Sequence, residues 1–223
     1  MERPEAVAFD VIGTLFSLDP LRGVLETAGV PGDALEALFA ATLRDAFALA
    51  ATGAFQPLQA VLGANLDALF HRHGVVLKVP HRNAALAAMQ ELPPYPDAAE
   101  ALVALSSANI PVLALSNGSA EATEALLRRA GLREAVKLVV SVDEVGLAKP
   151  RCEVYLHAAS RGGIEPGRLA LVAAHPWDVH GAKAAGLMAG FVARGQAFPP
   201  TMTAPDVQGD TLAEVAGKLA RAA

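Results

Sequence analysis

The sequence predicts an α/β fold: a doubly wound parallel sheet interrupted by an all-helical insertion. Three observations lead there. From Asp97 onward, short apolar runs alternate with helical stretches. One further apolar run, Ala6 to Asp10, stands alone near the start. Between them, from Asp19 to about Met89, apolar residues recur at helical spacing and no convincing strand is found.

Val7-Ala8-Phe9 run into a single carboxylate, Asp10, and Gly13-Thr14 follow at once. That reads as a buried strand and a tight loop. A helix over Pro20 to Ala28 is stopped by Gly29. Asp33 to Ala51 is a longer helix, with Leu35, Leu38, Phe39, Leu43, Phe47 and Ala50 near one face. Leu58 to His73 is a third, closed by Gly74, and Val75 to Val79 reads as loop or strand. Pro80 to Leu92 is a fourth helix, with its proline near the start. Pro93, Pro94 and Pro96 then make a stiff linker around Tyr95, a domain boundary.

Beyond the linker, Asp97 caps a helix to Ser106 or Ser107. Strands follow at Ile110 to Leu115, Val136 to Ser141, Leu169 to Ala173 and Leu187 to Ala193. The helices between and after them cover Ala120 to Arg129, Pro150 to Arg161, Asp178 to Ala185 and Thr211 to Arg221. The expected organisation is a core of residues 1–16 and 95–223 with a helical unit of residues 17–94 inserted after the first strand.

The bulk properties narrow the function. The chain has 223 residues, 53% apolar and 18% charged, which is a globular composition. The net charge of −5 and the lack of a Lys/Arg cluster exclude a nucleic-acid footprint. The uncharged stretch from Ala101 to Ala120 is broken by Ser, Asn, Pro and Gly and does not read as a membrane span. Cys152 is the single cysteine, so no internal disulfide forms, and a reducing cytoplasm is expected. Met1-Glu2-Arg3-Pro4 does not read as a signal peptide.

Four expected strand ends carry polar residues: Asp10 with Gly13-Thr14, Ser116-Asn117, Lys149-Pro150, and His175-Pro176-Trp177-Asp178. Each has an ordinary explanation. Asp10 suits a turn, Ser116-Asn117 are common turn residues, Lys149 suits solvent, and Asp178 suits a helix cap. Their shared location favours chemistry, because the carboxyl ends of parallel strands converge on one crevice. An aspartate nucleophile there needs a cation to stay ionised, polar donors to orient the substrate, and a second carboxylate for the hydrolytic half-reaction.

The order Asp10-x-x-Gly13-Thr14, Ser116-Asn117, Lys149-Pro150, Asp178 resembles the haloacid dehalogenase superfamily. That resemblance implies a Rossmann-like core, a helical cap, and an aspartyl-enzyme intermediate on Asp10. Most members are magnesium-dependent phosphatases with a second Asp two residues after the nucleophile and an inner Asp in the fourth motif. Here those positions are Ile12 and Ala174. The motifs Phe9 to Phe16, Leu115 to Ser119, Asp143 to Pro150 and Trp177-Asp178 are similar instead to the (S)-2-haloacid dehalogenase branch, which implies no metal and no other cofactor. Its substrate would be a small halogenated carboxylic acid.

On that resemblance Lys149 would keep Asp10 ionised, and Asp178 would hold Lys149 or activate water. Thr14, Ser116 and Asn117 would bind the substrate carboxylate, with Ile12, His175 and Trp177 around it. The chain departs from the branch at Ile12, usually aromatic, and at Ala173 and His175, usually Ser and Asn. The cap arginine that receives halide falls near Ala40, leaving Arg44, one turn on, as the nearest candidate. His175 is the other, and a solvated Arg44 is the competing reading. A phosphatase or phosphonate hydrolase and a non-enzymatic anion binder remain open alternatives. A homodimer is compatible with the resemblance.

Overall fold

The computed structural model describes residues 2–222. Met1 and Ala223, the outer ends of the expected core and of the expected leaderless start, lie outside the described residues. Six strands, β1 (Ala6–Asp10), β2 (Val112–Ser116), β3 (Leu138–Ser141), β4 (Leu169–Ala173), β5 (Met188–Val192) and β6 (Val207–Gly209), form one sheet. The order is β3-β2-β1-β4-β5-β6, and every pairing is parallel. The order reverses beside β1, so Asp10 ends the strand at the switch point where open α/β sheets bind ligands.

Side chains alternate between two apolar layers, as the strand period requires. On one face Val7 and Phe9 pack with α5 (Ala98–Ser107), α6 (Ala120–Arg129) and α9 (Leu212–Ala220). On the other, Ala6 and Ala8 pack with α7 (Cys152–Gly162) and α8 (Pro176–Ala184). Both faces of the sheet are therefore covered, as expected of a parallel sheet.

Between β1 and α5 lie α1 (Pro20–Thr27), α2 (Ala34–Ala51), α3 (Leu58–Arg72) and α4 (Val79–Ala88). The ends of this run meet. Ser17 N–H donates to the Pro93 carbonyl at 2.9 Å, and Tyr95 N–H to that of Leu15 at 2.8 Å. Leu21, Leu25, Leu35, Leu38, Leu62, Leu66, Leu69 and Phe70 bury an apolar layer that is continuous with Leu15 and Phe16.

Three details differ from the expectations, and the stretch expected as loop or strand resolves to one of the two. The fourth helix ends at Ala88, short of Leu92, because Gln90 and Glu91 turn their N–H groups onto Ala87 and Ala88, tightening the last turn. Residues 75–78 are loop. Asp97 stands at the start of α5 in a helical conformation, which does not cap its own helix. Its carboxylate instead accepts the Leu212 N–H at the start of α9 at 2.8 Å. β6 was not anticipated, since three residues with an exposed Gln208 carry almost no periodic signal.

Candidate active site

Asp10, Lys149 and Asp178 come together under the carboxyl end of the sheet. Lys149 Nζ lies 2.7 Å from Asp10 Oδ1 and 2.6 Å from Asp178 Oδ2, and also donates to the Leu115 carbonyl at 3.1 Å. All three side chains are buried, Lys149 and Asp178 completely. Burial alone would raise the Asp10 pKa, but the Lys149 ammonium outweighs it, with help from His175 and the Thr14 hydroxyl, and holds the carboxyl below its ordinary range. Burial likewise disfavours a charged Lys149, and the Asp10 and Asp178 carboxylates reverse that and raise its pKa. Asp178 is raised by burial and by the charge of Asp10, against the pull of Lys149. Asp10 is thus an anion and Lys149 its cation.

Asp178 lies in the first turn of α8, where His175 occupies the capping position, so it does not cap the helix. Its Oδ1 accepts from the Tyr155 hydroxyl at 2.6 Å. With Lys149 on one oxygen and Tyr155 on the other, and no exposure, Asp178 holds Lys149 and has no access to water. Tyr155 was missed. It occupies the apolar face of α7, where a tyrosine reads as core, and only the fold brings it to Asp178. Gly181 makes room for it: a Cβ there would lie 2.6 Å from the tyrosine oxygen. Burial and the neighbouring Asp178 carboxylate raise the Tyr155 pKa well above its ordinary value, so it stays a donor.

The loop after β1 is tied down at several points. Thr14 Oγ1 donates to Asp10 Oδ2 at 2.7 Å and accepts from the Ala174 N–H at 2.9 Å. Thr14 therefore orients the carboxylate of Asp10; its hydroxyl is not free for a substrate, which corrects the expected role. Arg194 donates to the Thr14 carbonyl at 3.0 Å while lying over the Tyr95 ring at 3.6 Å. Gly13 has φ +82°, and a Cβ there would meet His175 Nε2 at 2.6 Å, so glycine is required on both counts.

Ser116 accepts the Gly118 N–H at 2.9 Å, which leaves its own hydroxyl proton to offer. Ser141 donates to the Gly118 carbonyl at 2.9 Å and steadies the same loop. Asn117 Oδ1 accepts the Lys149 N–H at 2.9 Å, so only its amide N–H groups are left for a ligand.

Over Asp10 lies a pocket of about 250 Å³ lined by Ile12, Phe39, Leu43, Leu58, Asn117, His175 and Trp177. His175 Nε2 sits 3.0 Å from the Ile12 carbonyl and 3.6 Å from Asp10 Oδ2. Its ring stacks on Trp177 at 5.4 Å, and Phe47 meets the Trp177 edge at 5.0 Å. Arg44 is not in the site. Its side chain is 69% exposed and pairs with Asp45. The reason is helix phase: Phe39 and Leu43 turn inward, so Ala40 and Arg44, each one residue further round, face outward together.

Magnesium would want several oxygen ligands. Asp178 is committed to Lys149 and Tyr155, and the Ile12 carbonyl faces His175. Among the described residues no group of three His, Cys, Asp or Glu could hold a metal ion. The donor set does not fit magnesium. No helix of the described residues is long and apolar enough to cross a membrane.

Comparison with known proteins agrees with this geometry. The chain is 32% identical over 190 residues to (S)-2-haloacid dehalogenase 1 of Pseudomonas sp. (strain CBS-3), covering 83% of each chain. It is 31% identical to (S)-2-haloacid dehalogenase of Xanthobacter autotrophicus, over 85% of this chain and 75% of that one. The solved structure of L-2-haloacid dehalogenase from Xanthobacter autotrophicus superposes with a TM-score of 0.86 at 25% identity, covering 96% and 97% of the two chains. A model of haloacid dehalogenase-like hydrolases matches residues 4–186. The order of strand-end residues and the match across most of its length agree, and the chain belongs to the haloacid dehalogenase-like hydrolase family.

Proposed function

We propose that this hydrolase removes halide from small 2-haloacids through an ester on Asp10, with residues 17–94 acting as a cap domain over a core of residues 1–16 and 95–223. The observation that carries the reading is the buried Lys149–Asp10 ion pair beside Ile12. It supplies an anionic nucleophile in an apolar pocket, and at Ile12 no carboxylic acid to protonate an alkoxide leaving group. Halide needs no such proton. The similarity to proteins named (S)-2-haloacid dehalogenase supports the same choice.

In the first step an Asp10 carboxylate oxygen attacks C2 from the side opposite the halogen. The carbon–oxygen bond forms as the carbon–halogen bond breaks, and the halide leaves with the electron pair. Loss of bulk water around the carboxylate makes it a stronger nucleophile, and Thr14 and Lys149 fix its aim. The substrate carboxylate is held by the Ser116 hydroxyl. The departing halide meets the amide N–H groups of Asn117, with His175 and Trp177 lining the pocket beside it in place of a cap arginine. Water then attacks the Asp10 carboxyl carbon. The ester bond to Asp10 breaks, the leaving alkoxide takes one of the water's protons and the other passes to solvent, a 2-hydroxyacid leaves, and Lys149 receives the restored carboxylate.

The test is halide release from 2-chloropropanoate, with a single turnover in ¹⁸O-water. Ester chemistry on Asp10 places unlabelled oxygen in the first hydroxyacid formed. Asp10→Asn abolishes halide release. No halide from a panel of 2-haloacids, or label in the first product, rejects the reading.

A further inference from the structure

We propose that the cleft between α3, α4 and α6 is a subsite for an apolar tail, so that the chain takes 2-haloacids with an unbranched alkyl chain longer than that of propanoate. The inference rests on the reading of Asp10 as the group that attacks C2, and extends it to the rest of the substrate.

The pocket over Asp10 is small, about 250 Å³, and closed by aromatic and apolar side chains. A second space of about 640 Å³ adjoins it. Ile12 and Leu58 line both, so only these two apolar side chains need move for the two to join. Of the two, the cleft is the roomier, so a substrate larger than the pocket over Asp10 holds extends into it.

The walls of the cleft decide what it takes. Leu62, Leu86, Met89 and Leu126 line it with Ile12 and Leu58. The polar residues there are the uncharged Gln59, Gln90, Ser116, Ser119 and Thr123, and no charged side chain lines the space. Leu86 and Met89 stay half-buried, apolar surface that a tail would cover. Methionine adapts to chains of different length. Another opening, of about 700 Å³, reaches His175 from the other side, but Asp19, Arg22, Glu36 and Arg194 line it. That opening suits water and ions; an alkyl chain is directed to the uncharged one. Ser116 and Gly118 edge the cleft, so a carboxylate held at Ser116 leaves the rest of the molecule pointing along it.

Ala122 lines the cleft from α6 and donates its main-chain N–H to the Ser119 hydroxyl, a bond that a larger side chain leaves in place, so Ala122→Trp fills the space without replacing any group at Asp10, Lys149 or Asp178. Titration calorimetry with propanoate and octanoate, which carry no halogen and do not react, reads the subsite directly. Burying even two of the extra methylenes is worth roughly tenfold in affinity. Octanoate is expected to bind the parent protein at least about tenfold tighter than propanoate. Ala122→Trp, or Leu86→Trp from the opposite wall should the first not fold, removes that advantage and leaves propanoate binding unchanged. Octanoate binding no tighter than propanoate, or an advantage that survives both variants, overturns the subsite. Halide release from 2-bromopropanoate and 2-bromooctanoate is measured alongside. Release from neither rejects the dehalogenase reading, while the binding ratio still decides the cleft.

Discussion

Replacing Lys149 by methionine keeps most of the bulk of a buried side chain and removes its charge. The ammonium contacts Asp10 at 2.7 Å, Asp178 at 2.6 Å and the Leu115 carbonyl at 3.1 Å, and none of the side chain reaches water. Without it two buried carboxylates are left with no cation. Breaking such a pair costs about 3–5 kcal/mol, a large part of the roughly 5–15 kcal/mol that holds a protein folded. The loss depends on pH. Asp10, held low, contributes stability that is complete above its unfolded pKa and is lost as pH falls through the depressed native value. Lys149, held high, contributes stability that is complete below its unfolded pKa and is lost as pH rises through the raised value. Near neutrality both contributions are present in full. In Lys149→Met, Asp10 keeps its burial and loses the ammonium, so its pKa moves above the ordinary range. A carboxyl of that kind favours the fold at low pH and ceases to as pH rises through its native pKa. Asp178, already raised in the parent, keeps its sign, so the reversal belongs to Asp10. Urea unfolding of both proteins from neutral pH toward about pH 4 measures the difference. The variant is expected to be less stable by about 3–5 kcal/mol at neutrality, with the gap narrowing at each step toward acid. A variant as stable as its parent near neutrality, or a gap that stays constant with pH, would refute the ion-pair argument.

Two further outcomes follow from single contacts. Tyr155→Phe removes the donor to Asp178 Oδ1 at 2.6 Å, which costs about 1.5–3 kcal/mol for a bond to a buried carboxylate. Thermal unfolding of that variant should fall by roughly 3–12 °C, and an unchanged midpoint would mean that Tyr155 does not support Asp178. Arg44→Ala leaves halide release from 2-chloropropanoate unchanged, because its side chain faces solvent beside Asp45; a large loss in steady-state kinetics would return Arg44 to the site.

How far the sequence could be read depended on what each feature rests on. The charged centre was legible because strand ends are marked locally. Ala6–Asp10 and Val112–Ser116 are short apolar runs that stop at a polar residue, and parallel pairing then brings their ends together. Lys149 and Asp178 followed by the same rule, although a further loop carries each of them past the end of its strand at Ser141 and Ala173. The supports of that centre were not legible. Tyr155 differs from a core residue only by a hydroxyl, and its partner lies 23 positions away. Thr14 was read as a substrate donor because its type fits either role, and only the distances to Asp10 and Ala174 separate them.

The helical insertion shows the other limit. Its helices were visible from their periodicity, but which residue of α2 faces Asp10 depends on rotation about the helix axis, where one position is about 100°. The expected arginine position therefore fell at Ala40, with Arg44 one turn on, each one residue past Phe39 and Leu43, which line the pocket. Ile12 ties the two limits together. In the sequence it mattered for what it lacks, a carboxyl beside the nucleophile. In the fold it also lines both the pocket over Asp10 and the uncharged cleft along α6. A charged residue at this position would place an ion on the wall of both spaces, at the cost of desolvation. The same side chain that withholds a proton donor therefore also keeps that shared wall apolar, and on the proposed reading of the cleft, reaction type and substrate shape are coupled through Ile12.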